Sequence, residues 1–216
     1  MKKNNKGFTL IELLAVIVIL GILLAIAIPS VAKYINTARK STYVENVQSY
    51  ARAAKNEVLA VNSKYVLPVN AGEATVITFS VLQDALENGG KTSPYGGTWS
   101  SDSYVAIVNK GTAEEPKYVY YIAAIDSKGY GIGSNKSAAA IIYEDLQESN
   151  ILQLGGTGIS AAQAATTEDF EITASYSLNE DGTIKETLTP SSASGLIEKP
   201  QLPSGELPPA EAQIGG

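Results

Sequence analysis

The stretch KGFTLIELLAVIVILGILLAIAIPS, Lys6 to Ser30, decides how this chain folds. Phe8 to Ile28 is 21 residues, interrupted only by Thr9, Glu12 and Gly21. As a helix rising about 1.5 Å per residue it spans roughly 30 Å, the thickness of a bilayer core. Lys2, Lys3 and Lys6 precede it with no acid among them. Basic residues beside a spanning segment stay on the cytoplasmic side, so the rest of the chain is expected outside. Glu12 is the anomaly. A charged side chain at a bilayer centre costs at least roughly 2.5–3.5 kcal/mol and less near the interface, so Glu12 is a candidate functional residue.

Two simpler readings compete. A secretory signal peptide has a basic start, a shorter apolar core and a small-residue cleavage site. Ala25-Ile26-Ala27 has the small-x-small look of such a site. The core here is longer, Pro29 follows closely, and apolar helical spacing continues beyond it. A plain membrane anchor explains the lysines and the length but not Glu12.

Residues 6–30 closely resemble the N-terminus of type IV prepilins and their relatives, the pseudopilins and competence pilins, and the likeness extends to about residue 60. The resemblance implies a prepilin peptidase that cuts between Gly7 and Phe8 and N-methylates the new terminus at Phe8. Glu12 then stands fifth in the mature chain, where the family has its glutamate. Gly21 and Pro29 also match family positions. Cleavage exposes an α-amino group with a pKa near 8, hence largely cationic at neutral pH. In low dielectric an unpaired carboxylate is far costlier than in water, so pairing of Glu12 with the Phe8 amine, on its own or a neighbouring chain, would select subunit register. The family uses its glutamate to guide assembly.

Gly21 costs a helix about 1 kcal/mol against alanine. Pro29 removes an intrahelical hydrogen bond and crowds the preceding turn. In the family's filaments the stretch between such residues commonly loses helicity, so Gly21 and Pro29 are the candidate helix break. The helix is expected to continue from Ser30 to about Val61. Val31, Tyr34, Ile35, Ala38, Thr42, Val47, Tyr50, Ala51, Ala54, Val58 and Val61 recur at spacings of 3 and 4, an amphipathic face. Lys40 and Tyr43 are expected on the opposite side.

Composition excludes several functions. The chain of 216 residues has no cysteine and no histidine. Disulfides, thiol nucleophiles and nucleophile–histidine dyads are ruled out, and the commonest metal ligand is missing. The resemblance therefore departs from proteobacterial pilins that carry a disulfide-bounded loop. Residues 33–60 carry a net charge of +3, whereas residues 61–216 carry 8 lysines and 19 acids. Nucleic-acid binding needs a basic face, so none is expected. No cofactor and no metal site is expected, and the chain does not read as an enzyme.

Asn62-Ser63-Lys64 and Pro68 mark the exit from the helix. A short helix is predicted from Ser80 as N-cap, with Gln83 completing a capping box and Gly89-Gly90 ending it. Lys91-Thr92-Ser93-Pro94-Tyr95-Gly96-Gly97 reads as a loop, similar to the Pro-aromatic-Gly turn of many pilins. Strands are predicted at Ser103–Asn109, Lys117–Asp126 and Tyr130–Gly133, as an antiparallel meander. Ala138–Leu146 suits either helix or strand. Glu168–Leu178 and Thr183–Leu188 are predicted as a hairpin. Ser160–Ala165 allows a short helical piece.

Minor motifs carry little. Asp181 lies in a turn that a calcium ion would suit, although turn acids usually serve the turn. Glycines 129, 131 and 133 lack the strand–helix frame of a nucleotide loop. Leu202-Pro203-Ser204-Gly205-Glu206 lacks the threonine and hydrophobic stop of a sortase signal. The twelve tyrosines suit strands and core.

The expected organisation is a leader at 1–7, a membrane or filament-core helix at 8–29, an amphipathic helix at 30–61, an α+β head at 62–189 and a Pro-rich extended tail at 190–216. The expected fold is pilin-like, a long N-terminal α-helix packed on an antiparallel sheet. By resemblance, its partners are other pilin subunits, prepilin peptidase, the pilus assembly platform and the cytoplasmic membrane before assembly. A type IV pilus subunit is the leading reading. Alternatives are a pseudopilin or minor pilin of a secretion or DNA-uptake machine, and a single-span adhesin that does not assemble.

Overall fold

The computed structural model describes residues 7–61, 63–86, 90–101, 103–134, 137–154 and 171–188. Helix α1 runs Leu10–Leu59, longer than the ~20 residues a bilayer needs. It opens two residues after Phe8 and closes two before Val61. Two units divide the chain, Met1–Arg39 and Lys40–Gly216. In the first, every described residue is exposed.

In the second unit, α1 buries Tyr43, Val47, Tyr50, Ala51, Ala54 and Val58. Their spacing of 3 and 4 lines one helical face. The stripe corrects the expected one. Tyr43 is fully buried rather than on the opposite side, whereas Val31, Tyr34, Ile35 and Val61 are exposed. Tyr43 is buried at little polar cost because its hydroxyl donates to the Tyr130 carbonyl at 3.0 Å.

The stripe packs against a six-stranded sheet of order β6-β3-β2-β1-β8-β9. The strands are β1 (Glu73–Thr78), β2 (Tyr104–Asn109), β3 (Tyr118–Ala123), β6 (Ile141–Ile142), β8 (Glu171–Leu178) and β9 (Ile184–Leu188). In β2, Val105 and Ile107 join the core under α1, whereas Tyr104, Ala106 and Val108 join a second core on the other face. A strand buried on both faces reads as a continuous apolar run, and YVAIVN does. The fold is α+β, with a sheet that is antiparallel except where β1 runs parallel to β8.

The structure departs from the predicted elements at several places. The strand β1, near the centre of the sheet, was not predicted. Its parallel partner begins almost a hundred residues later, and local pattern does not reveal that pairing. A short helix, α2 (Phe79–Leu82), follows β1 and passes into a 3-10 turn at Gln83–Ala85. Its N-cap is Thr78, not Ser80, and no side chain caps it; the Ser80 hydroxyl instead bonds the Thr78 hydroxyl at 2.8 Å. Ala138–Leu146 resolves into the end of β5 (Ser137–Ala138), then β6, then a 3-10 turn at Tyr143–Asp145.

The predicted meander is also corrected. β4 (Tyr130–Ser134) leaves the main sheet and forms a three-stranded one with β5 and β7 (Ile151–Gln153). Gly131 makes the close crossing possible, since a Cβ there would lie 2.8 Å from the Ala124 carbonyl oxygen. That is the role of this glycine, in place of any nucleotide loop. The hairpin of β8 and β9 forms as expected. The leader lysines, Gly89, the Ser160–Ala165 piece, the Leu202–Glu206 motif and the tail lie outside the described residues.

Candidate assembly site

Gly7 and Phe8 precede the helix, and Phe8 is 92% exposed. Thr9 then caps α1. Its backbone N–H and its hydroxyl both donate to Glu12 Oε2 at 2.8 Å. In return the Glu12 N–H donates to Thr9 Oγ1 at 3.3 Å. This reciprocal arrangement is a capping box, which satisfies backbone donors that a helix start otherwise leaves open. The carboxylate also sits at the positive end of the helix dipole.

Glu12 therefore has partners inside its own subunit, which reduces the cost of a carboxylate in an apolar run. Thr9 is the residue that sequence reasoning missed. Its signal was present as Thr-x-x-Glu before an apolar run. Among the described residues no cation pairs with Glu12, and the ion pair of Lys91 with Asp84 at 3.9 Å lies elsewhere.

Gly21 and Pro29 both lie inside α1, which is helical through both. A Cβ at Gly21 would meet nothing within 4 Å, so packing within the subunit does not demand glycine there. Beyond Pro29, the Ser30 hydroxyl reaches back to the Ile26 carbonyl at 3.5 Å. Such back-bonding is common where serine sits in a helix. The apolar window of α1 has a mean hydropathy of 3.1 and none of it is buried. Contiguous exposed apolar surface of this extent marks a membrane or a protein interface.

Residues 2–28 match the family model described as the prokaryotic N-terminal methylation motif. The chain is 34% identical over 125 aligned residues to the fimbrial protein EcpC of Eikenella corrodens, covering 48% of this chain and 82% of that protein. It belongs to the type IV pilin family. This pilin is also 32% identical over 106 residues to a fimbrial protein of Pseudomonas aeruginosa, covering 49% and 68% of the two chains. To the type IV major pilin protein PilA of Myxococcus xanthus the pilin is 44% identical over 53 residues, 24% of each chain. No solved structure matches it.

The other sequence candidates are absorbed by the fold. Asp181 Oδ1 accepts the Thr183 N–H at 2.9 Å and the Thr183 hydroxyl at 2.6 Å, so it organises the β8–β9 turn. These bonds hold its carboxyl below the ordinary carboxylate range. Buried Asp126 accepts the Lys128 N–H at 2.8 Å and the Tyr130 N–H at 3.0 Å, and Ser93 donates its hydroxyl to the same carboxylate.

Proposed function

We propose that this pilin is a structural subunit that polymerises through α1 into a type IV pilus on the cell surface. The observation that carries the reading is the apolar surface from Phe8 to Ile28, uncovered in the subunit and led by a single carboxylate. Before assembly that surface is solvated by the cytoplasmic membrane, with the leader inside and residues 40–216 outside. In the filament it is covered by the same helix of neighbouring subunits. The role is structural, and no reaction is assigned to the chain.

The proposed site residues act in order. Prepilin peptidase cuts between Gly7 and Phe8 and methylates Phe8. The new amine is a cation beside the Thr9–Glu12 box. Glu12 then exchanges part of its capping for the amine of a neighbouring Phe8, which sets the register. Gly21 and Pro29 supply the low-cost site at which α1 loosens when packed. The methylation-motif match over residues 2–28 and the pilin relatives support this sequence of events.

Filaments sheared from cells and analysed by mass spectrometry should yield an N-methylated peptide beginning at Phe8. Protein that keeps its leader and occurs only in membranes would defeat the proposal. Glu12→Ala should be processed normally yet enter filaments at least about tenfold less, the factor expected from about 1.4 kcal/mol of lost pairing. Undiminished incorporation would remove Glu12 from the account.

A further inference from the structure

The unit of residues 40–216 contains a cleft of about 150 Å³. Its wall is aromatic. Tyr50 and Phe79 stack with ring centroids 3.7 Å apart and planes 5° from parallel. Trp99 meets both edge-on, at 6.3 and 5.7 Å. The indole is held in place because its N–H donates to the Gly90 carbonyl at 2.7 Å. Around this wall stand the hydroxyls of Ser80 and Thr98 and the amide of Gln83.

Tyr50 is the informative member. It is 1% exposed, and its hydroxyl has no hydrogen-bond partner among the described residues. Every fully enclosed side-chain nitrogen or oxygen among those residues does have one. Tyr50 is one of the residues that line the cleft. Burial pushes its pKa up to about 12, so it remains a donor at any physiological pH. A buried phenol with no partner is expensive unless water or a ligand completes it.

The lining selects among ligands. Lys91 is the cation among the lining residues and lies 3.9 Å from the Asp84 carboxylate, which would repel a phosphate bound beside it. An aliphatic side chain would cover the rings but leave the Tyr50 hydroxyl and the rim unpaired. A pyranose ring offers both an apolar C–H face and a circle of hydroxyls, each a donor and an acceptor. The volume is below the roughly 300–1,000 Å³ of ordinary small-molecule pockets, which suits a single ring.

We propose that this cleft binds one neutral pyranose residue, the end of a glycan. The C–H face rests on the half-buried Trp99 indole, which the Tyr50–Phe79 stack backs, and Tyr50, Gln83 and the rim hydroxyls bond the sugar hydroxyls.

Trp99 is the single tryptophan of the chain, so its emission reports on the cleft directly. Full-length protein in detergent is titrated with methyl α-D-glucopyranoside, methyl β-D-galactopyranoside and N-acetylglucosamine, with glycerol and a tri-glutamate peptide as comparisons. At least one glycoside should shift the emission saturably, with half-saturation on the order of millimolar as expected for so small a ligand. Tyr50→Phe keeps the ring and should weaken binding about fivefold through the lost hydrogen bond. Gln83→Ala, on the rim, should weaken it by about the same factor and serves if Tyr50→Phe does not fold. No saturable response to any glycoside overturns the proposal. So does an equal response to glycerol, saturation by the peptide instead, or a glycoside affinity unchanged in both variants.

Discussion

Residues 10–39 and 40–59 share one helix, yet they obey opposite rules. The first stretch is the more apolar and buries nothing within the subunit. The second carries Arg52, Lys55 and Glu57 and buries a stripe of six side chains along one face against the sheet. Hydrophobicity alone does not say where a side chain will be covered. A helix that is apolar all round is made for lipid or for other helices, whereas one with a single apolar stripe is made for its own domain. The first stretch is uncovered within the subunit, and the second is packed against the sheet.

The widest separation between the two should appear in stability. Tyr43→Ala removes a ring packed edge-on to Trp99 at 4.9 Å and the bond to the Tyr130 carbonyl. It should destabilise the second unit by about 3–5 kcal/mol, the range for buried aromatic-to-alanine changes. Leu20→Ala should leave that unit's denaturation midpoint unchanged, with Trp99 emission as the readout in detergent. Equal losses would erase the distinction. In filament yield the order should reverse, with Glu12→Ala failing by tenfold or more while leaving the denaturation midpoint intact.

A smaller effect tests the cap. Thr9→Val removes the hydroxyl but keeps the shape, and loss of an N-cap costs about 1 kcal/mol. Amide hydrogen exchange over residues 10–13 should then quicken about fivefold, the factor that corresponds to that energy. Exchange in residues 43–58 should not change. Quickening there as well would mean that the helix start and the packed stripe are one cooperative piece.

The smallest effect concerns Glu73, at the start of β1. Its carboxylate accepts the Asn70 side-chain amide at 2.6 Å and the backbone N–H groups of Asn70 and Val69 at 2.9 and 3.0 Å. The Asn70 amide above all holds its pKa below the ordinary value of 4.5. A depressed folded pKa adds stability that is present above the ordinary value and is lost as pH falls through the folded one. The melting-temperature gap between wild type and Glu73→Gln should therefore be constant at neutral pH and close below pH 4.5. A gap unchanged at low pH would mean that the charge of Glu73 contributes nothing. Glu12 does not bear on this measurement if the melting is followed through Trp99.

Much of the site was legible from residues 6–30, because an uninterrupted apolar run with one acid is a one-dimensional signal. The Thr9–Glu12 box is equally local, a Thr-x-x-Glu spacing of three residues at the head of the apolar run. The stripe on α1 was half legible. Val47, Tyr50, Ala51, Ala54 and Val58 were recognised by spacing, but spacing could not tell which end of the pattern the sheet would cover, nor that Tyr43 would find the Tyr130 carbonyl. β1 escaped because its strength comes from strands on both sides.

By itself the sequence determined the long helix, its apolar and stripe-bearing parts, the strands with strong alternation or apolar runs, and the absence of thiol and imidazole chemistry. These depend on neighbours within a few residues, where periodicity and propensity act. Tertiary structure alone decided that β1 pairs parallel with β8, that β4 leaves the main sheet over Gly131, and that Tyr50, Phe79 and Trp99 meet at one cleft. Each of these joins residues tens of positions apart. Their contacts exist only after the chain has closed long loops, and no short window of sequence carries that information.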